Sequence, residues 1–266
     1  MSLEAALPRP SRFSIGRVLG DSIGIFARNA IWLMAITCAA QALVLLAPSR
    51  FEAPLSWPDR MLGDFADTVA SALADAAIAL CVIRMLNGGR ASVRDVAAGL
   101  RSIVPVTVVT VICTIPWTLS IIVDAVWPSS GVTEDVARWL IFYAIVFVLY
   151  VRWGVATQAN VVERLGALAA LARSARLTRG RRWAIFGVTI TPLVVVYALY
   201  AATAMLLDIV APELDASATV TLVRGTDYFI SALSSAYFAV QSTVLYYYLR
   251  REKDGVESGE VAHVFD

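Results

Sequence analysis

The chain has 266 residues, of which 59% are hydrophobic and 16% charged, and its formal net charge is +1. An ordinary soluble domain is about half apolar and about a quarter charged, so this composition excludes one. The near-zero charge singles out no class of partner, and nothing in the chain calls for nucleic acid. The apolar residues are gathered into long runs almost free of charge, the pattern of helices that each need ~20 mostly apolar residues to cross a bilayer.

In chain order, the first feature is an amphipathic segment. At 100° per residue Ile15, Val18, Leu19, Ile23 and Phe26 share one face, and Arg17, Asp21, Gly24 and Arg28 the opposite one. The segment is expected to lie in the membrane interface ahead of the first span. Gly16, Gly20 and Gly24 recur at the spacing that lets helix backbones approach closely. The first apolar run starts near Ala30, too far in for a short leader, so it is expected to be retained as a span.

Six spans are expected at about 30–47, 65–86, 103–127, 136–157, 184–208 and 226–249, between a cytoplasmic segment 1–29 and a cytoplasmic tail 250–266. The second is the weakest because it contains Asp67, Asp75 and Arg84; the other five stand on hydropathy alone. Topology tests the second. Arg and Lys gather on the cytoplasmic side of short loops. With six spans, 18 of the 22 basic residues fall on the side of both termini and only Arg50, Arg60, Arg138 and Arg224 on the other. Without the second span, the arginine-rich fourth loop would face away from the basic N-terminus. The opposite loops are short, acidic and rich in turn residues, as in Pro128-Ser129-Ser130-Gly131 before Glu134-Asp135. Tryptophans such as Trp32, Trp139, Trp153 and Trp183 mark the expected water interfaces. Spans one, three and five each follow a basic segment ending in arginine, which points to a unit of basic segment plus helical hairpin used three times.

Within the spans, Asp75 lies near the middle of the second. A charge there costs ~2.5–3.5 kcal/mol on insertion scales, so Asp75 is either a relay or substrate contact, or a neutral acid bonded to Gln41, Gln241 or a backbone carbonyl. Arg152 is expected to snorkel to the cytoplasmic interface, and Pro116 and Pro192 to kink their helices. Cys38, Cys81 and Cys113 lie in apolar runs without metal-ligand spacing and are expected as small buried hydrophobes.

The fourth cytoplasmic loop carries the densest signal. Residues 160–177 have high helix propensity, with Gly180 as the stop. Arg173, Arg176 and Arg179 follow at three-residue steps, and Arg181 and Arg182 close the run. A basic stripe at the membrane surface gains ~1 kcal/mol per residue from anionic headgroups; positive-inside topology alone also puts arginines here. Glu163 is expected to pair with one of these arginines and fix the loop helix. Enzyme motifs are missing. The single histidine is His263, so histidine bases and histidine metal sites are excluded from the spans, and no cofactor is implied.

Two segments resemble a known family. Asn160-x-x-Glu163-x-x-Gly166, followed by Ala170-Leu171-x-Arg173-Ser174-x-x-Leu177-Thr178-x-Gly180-x-Arg182-Trp183, is similar to the membrane domain of bacterial glycerophosphoryl diester phosphodiesterases. Phe13-Ser14-Ile15-Gly16-x-Val18-Leu19-x-Asp21-Ser22 fits the opening of the same family. The resemblance implies a six-helix domain of the bacterial inner membrane. Its catalytic partner domain relies on histidines and metal-binding acids, which this chain does not supply, so no phosphodiesterase activity is carried over. The expectation is an all-α polytopic membrane protein with interfacial amphipathic helices on the cytoplasmic side, non-enzymatic, acting as a scaffold or lipid-binding helper, with anionic headgroups and a membrane-protein partner as its contacts. The alternative is a transporter or permease subunit that uses Asp75.

Overall fold

The computed structural model describes residues 13–42, 57–126, 131–210 and 215–254. The described residues are helical, with no strand among them. The helices are α1 (Ile15–Gln41), α2 (Trp57–Leu86), α3 (Val93–Leu100), α4 (Ile103–Val126), α5 (Val132–Trp153), α6 (Ala156–Glu163), α7 (Ala167–Leu177), α8 (Arg182–Val210) and α9 (Ala216–Asp254). Most of the first and parts of the third and fifth expected loops lie outside the described residues, as do the chain ends with His263.

Among the described residues, four stretches are long and apolar enough to cross a membrane: Ile15–Gln41, Phe65–Leu86, Trp139–Glu163 and Arg182–Leu207. Val93–Leu100 and Ile103–Ile115, which meet at a bend of 65°, make a fifth if counted as one. The ranking of spans differs from the sequence expectation. The stretch with Asp67, Asp75 and Arg84 passes this test, whereas α9 does not. α9 has ample length at 39 residues, but Ser, Thr, Tyr and Gln dilute its hydropathy. The reason is its position. α9 packs most extensively on α1 and α2, with Ala236, Ala239, Val240, Val244, Tyr246 and Leu249 buried. A helix surrounded by protein need not be apolar all round.

α2 is the other interior helix. Its buried stretch is built on small side chains: Ala70, Ala72, Ala74, Ala76, Ala77 and Ala79. In lipid, helix association draws on packing rather than on escape from water, and small residues allow close approach. α8 is the opposite case, with only 6% of its spanning window buried and Val194, Val195, Tyr197, Met205, Leu206 and Ile209 exposed. Meanwhile Ser22, Thr37, Gln41, Gln158, Asn160, Gln241 and Thr243 are buried. An apolar outer face with polar side chains kept within an otherwise apolar interior is what a lipid solvent selects.

The amphipathic N-terminal segment and the first span form one helix rather than two, broken only at Asn29 (φ −125°, ψ 17°). The Asn29 side-chain amide donates to the Ile25 carbonyl at 2.9 Å, which holds the kink. Its buried side includes Val18 and Ser22, with Leu19 and Phe26 half-buried against the core, while Ile15 and Ile23 are exposed. The glycine seam finds no partner: a Cβ at Gly16, Gly20 or Gly24 would meet nothing within 4 Å among the described residues. Close approach occurs instead at Gly99 in α3, where a Cβ would sit 2.1 Å from the Ala76 carbonyl oxygen of α2. α3 itself was not anticipated. A capping box of Ser92 and Asp95 starts it, and Asp95 also binds Arg84 at 2.6 Å.

α8 runs uninterrupted through Pro192, and the side chain of Pro116 lies outside the described set. In chain order, a short helix precedes two long ones twice, α3 before α4 and α5, and α7 before α8 and α9; the first of the three expected units has no separate short helix.

Candidate anion site on the loop between α5 and α8

The loop between α5 and α8 is a folded unit. After α5, α6 ends on Arg164, whose backbone is left-handed at φ 51°, ψ 42°. Such a conformation is strained for a residue other than glycine, and Asn160 secures it. Its buried side-chain amide donates to the Leu165 carbonyl at 2.5 Å, while the Leu165 N–H donates to the Asn160 carbonyl at 3.2 Å. Gly166 then opens α7. One face of α7 buries Ala170, Leu171, Ser174 and Leu177. The Ser174 and Thr178 hydroxyls donate to the Arg152 carbonyl at 3.0 and 3.4 Å, which pins α7 to the end of α5. Gly180, at φ +87°, makes the turn into α8, as its place in the sequence predicts.

The arginine run divides into two sets with different work. Arg173 and Arg181 are structural. The Arg173 guanidinium binds Glu163 at 3.0 Å and also grips Asp254 at the end of α9. Hydrogen bonding to Asp254 shifts its pKa further upward, with Glu163 adding to the effect against the cost of burial, so Arg173 stays charged at any practical pH. Arg181 grips Glu252 of α9 and lies 5.9 Å from the ring of Phe13. Glu163 has further partners, the Tyr246 hydroxyl at 2.7 Å and Arg250 at 3.8 Å. The expected pairing of Glu163 with the basic stripe is present, and it extends to α9 through Tyr246 and Arg250, which local spacing had no means of revealing.

Arg176, Arg179 and Arg182 form the second set. All three are exposed, and they line a hollow of about 890 Å³ together with Arg152, Glu163, Leu165 and Ala169, Ala172 and Ala175. No described residue forms an ion pair with these three or with Arg152, which is also exposed. Arg173 also lines the hollow, so five guanidinium groups border it; the four from the end of α5, from α7, from its following turn and from the start of α8 have no ion-pair partner among the described residues. Ligand sites commonly span about 300–1,000 Å³. Leu168 and Trp183, next along the chain to its walls, are 76% and 83% exposed.

Asp75 is half-buried in α2 and is not part of this site. None of its expected side-chain partners reaches it: Gln41 donates to Ser231 at 3.3 Å and Gln241 to the Val188 carbonyl at 2.5 Å. No hydrogen bond joins Asp75 to a described residue. Cys81 is buried and Cys113 half-buried as expected, but Cys38 is exposed. No group of three or more metal-ligating side chains occurs among the described residues.

The two segments that carry the family resemblance meet in space. They do so at Phe13 and Arg181; the rest of the first segment packs on neighbouring helices, with a Cβ on Gly187 of α8 3.1 Å from Ile15 and Asp21 accepting from the Tyr248 hydroxyl of α9 at 2.5 Å. Comparison with known proteins yields no matching family model, no matching curated protein and no matching solved structure.

Proposed function

We propose that this chain is a six-span protein of the bacterial inner membrane, with both ends cytoplasmic, that works without catalysis as a scaffold whose basic cytoplasmic face engages anionic lipid. The observation that carries this reading is the hollow that Arg152, Arg176, Arg179 and Arg182 help to line, four guanidiniums without a carboxylate partner among the described residues. Exposed Trp183 and Leu168 beside it suit a surface that dips into the headgroup layer. The 18-to-4 division of basic residues supports the orientation, and α9 serves as the sixth span by its length and interior position. The likeness of residues 13–22 and 160–183 to phosphodiesterase membrane domains agrees with this role and brings no catalytic set with it.

The test is the lipid that co-purifies in mild detergent, identified by mass spectrometry. The wild type is expected to be enriched in anionic lipid relative to the host membrane, and the R176A/R179A/R182A variant to lose that enrichment. Identical lipid in both would overturn the reading. A second reading, a transporter subunit, draws on one observation: Asp75 lies within the bundle without a hydrogen-bond partner among the described residues. It requires proton or solute flux in proteoliposomes that Asp75→Asn abolishes; the scaffold reading expects no such flux.

A further inference from the structure

We infer that the arginine hollow is a discrete site for one phosphate monoester group, either the headgroup of a lipid or a small soluble phosphate. This deepens the reading above and rests on it for the membrane setting. Like charges drawn from separate elements repel, and here four converge on one hollow while the nearby carboxylates are engaged elsewhere. Glu163, itself in the lining, is matched by Arg173, Arg250 and the Tyr246 hydroxyl. Glu252 and Asp254 bind Arg181 and Arg173. Among the described residues the fold thus neutralises two arginines of the run and leaves Arg176, Arg179 and Arg182, with Arg152, without an ion-pair partner.

The form of the ligand follows from charge and geometry. A phosphate monoester carries about −1.5 to −2 at neutral pH and three terminal oxygens, enough for several guanidinium forks. A phosphodiester carries a single charge on two free oxygens and satisfies fewer of them. The room comes from Ala169, Ala172 and Ala175, whose side chains stop short of the hollow's centre. The site is held rigidly, because Ser174 and Thr178 fasten α7 to the Arg152 carbonyl and Gly180 fixes the turn that carries Arg179 toward Arg182.

The full-length protein in detergent is titrated with dioctanoyl phosphatidic acid (a monoester), dioctanoyl phosphatidylglycerol (a diester), glycerol 3-phosphate and inorganic phosphate, with binding read by calorimetry. At least one monoester is expected to bind tenfold or more tightly than phosphatidylglycerol. The R176Q/R179Q/R182Q variant is expected to lose on the order of 100-fold, at about fivefold per arginine, with its ligand-free Tm unchanged or raised, because these side chains have no partner among the described residues and repel one another. Preference for the lipid over glycerol 3-phosphate identifies a headgroup site; equal affinity identifies a soluble phosphate. R90Q/R94Q, on exposed arginines at and before the start of α3, is expected to bind like the wild type. Equal affinity for the monoester and diester lipids, both lost in the arginine variant, overturns the monoester site and leaves general anionic-lipid binding standing. Monoester binding that the variant retains overturns the site. Monoester binding without enrichment of anionic lipid in the purified protein keeps the site and overturns the lipid role.

Discussion

Glu163 serves three partners from a side chain that is 16% exposed: Arg173, Arg250 and Tyr246. Removing one member of such a cluster leaves its counterparts buried and under-bonded, which costs more than the pair is worth. Glu163→Gln is expected to lower stability by about 1–3 kcal/mol, read as a fall in Tm in detergent. A double-mutant cycle with Arg173→Gln should give a coupling of about 0.5–3 kcal/mol; additivity within error would show the pair to be inert. Asp215 offers a pH test. It stands ahead of α9 and accepts from the Ala218 N–H at 2.6 Å and the Ser217 hydroxyl at 2.8 Å. The Ala218 N–H, with Ser217 adding, holds its carboxyl below the usual aspartate range. A lowered folded value means its stabilisation is complete above about pH 4 and is lost as pH falls through the folded value. Amide exchange in the first turn of α9 should therefore speed up in acid, and Asp215→Asn, which still caps, should flatten that dependence. Arg173 makes no such contribution in any working pH range.

Glycines separate what spacing reveals from what only packing reveals. The sequence offers Gly16, Gly20 and Gly24 as a seam and gives Gly99 no distinction. A Cβ added along the seam would meet nothing among the described residues, whereas Gly99 lies against the α2 backbone. Gly99→Ala is expected to cost about 1–3 kcal/mol through overpacking, because the obstacle is the Ala76 carbonyl rather than a movable side chain. Alanine at Gly16, Gly20 and Gly24 together should raise Tm, since each replaces a poor helix former in open space. A reversed ranking of these Tm values would refute both assignments. α7 and its Gly180 stop were legible because capping and propensity are local. α3 was not: its eight residues carry too few periodic positions, and the Arg84–Asp95 link that fastens it depends on the turn between. α9 was misjudged for a third reason. Hydropathy measures affinity for lipid, and a helix sheathed by its neighbours is under little pressure to show it.

Across the whole molecule, the charge asymmetry makes the sharpest claim about orientation. In a background with Cys38, Cys81 and Cys113 changed to alanine, a cysteine at Arg90 should react with an impermeant maleimide only after the membrane is opened. A cysteine at Gly131, which is exposed, should react in intact spheroplasts. Labelling of both from the same side would break the six-span topology. The long apolar runs and the basic loops were readable because lipid and charge act on each segment independently. The meeting of residues 13–22 with 160–183 was not, because it depends on how the ends of α1, α8 and α9 come together. α9 carries one more implication. At 39 residues it is about 58 Å long, roughly twice the ~30 Å hydrocarbon layer. Its last turns hold Glu252 and Asp254, two positions apart and so on nearly opposite sides of the rod, and these grip Arg181 and Arg173. A rod clasped from both sides cannot spin about its axis without letting go of one hand. Rotation of α9 about its axis would thus pull on Arg173, which lines the arginine hollow.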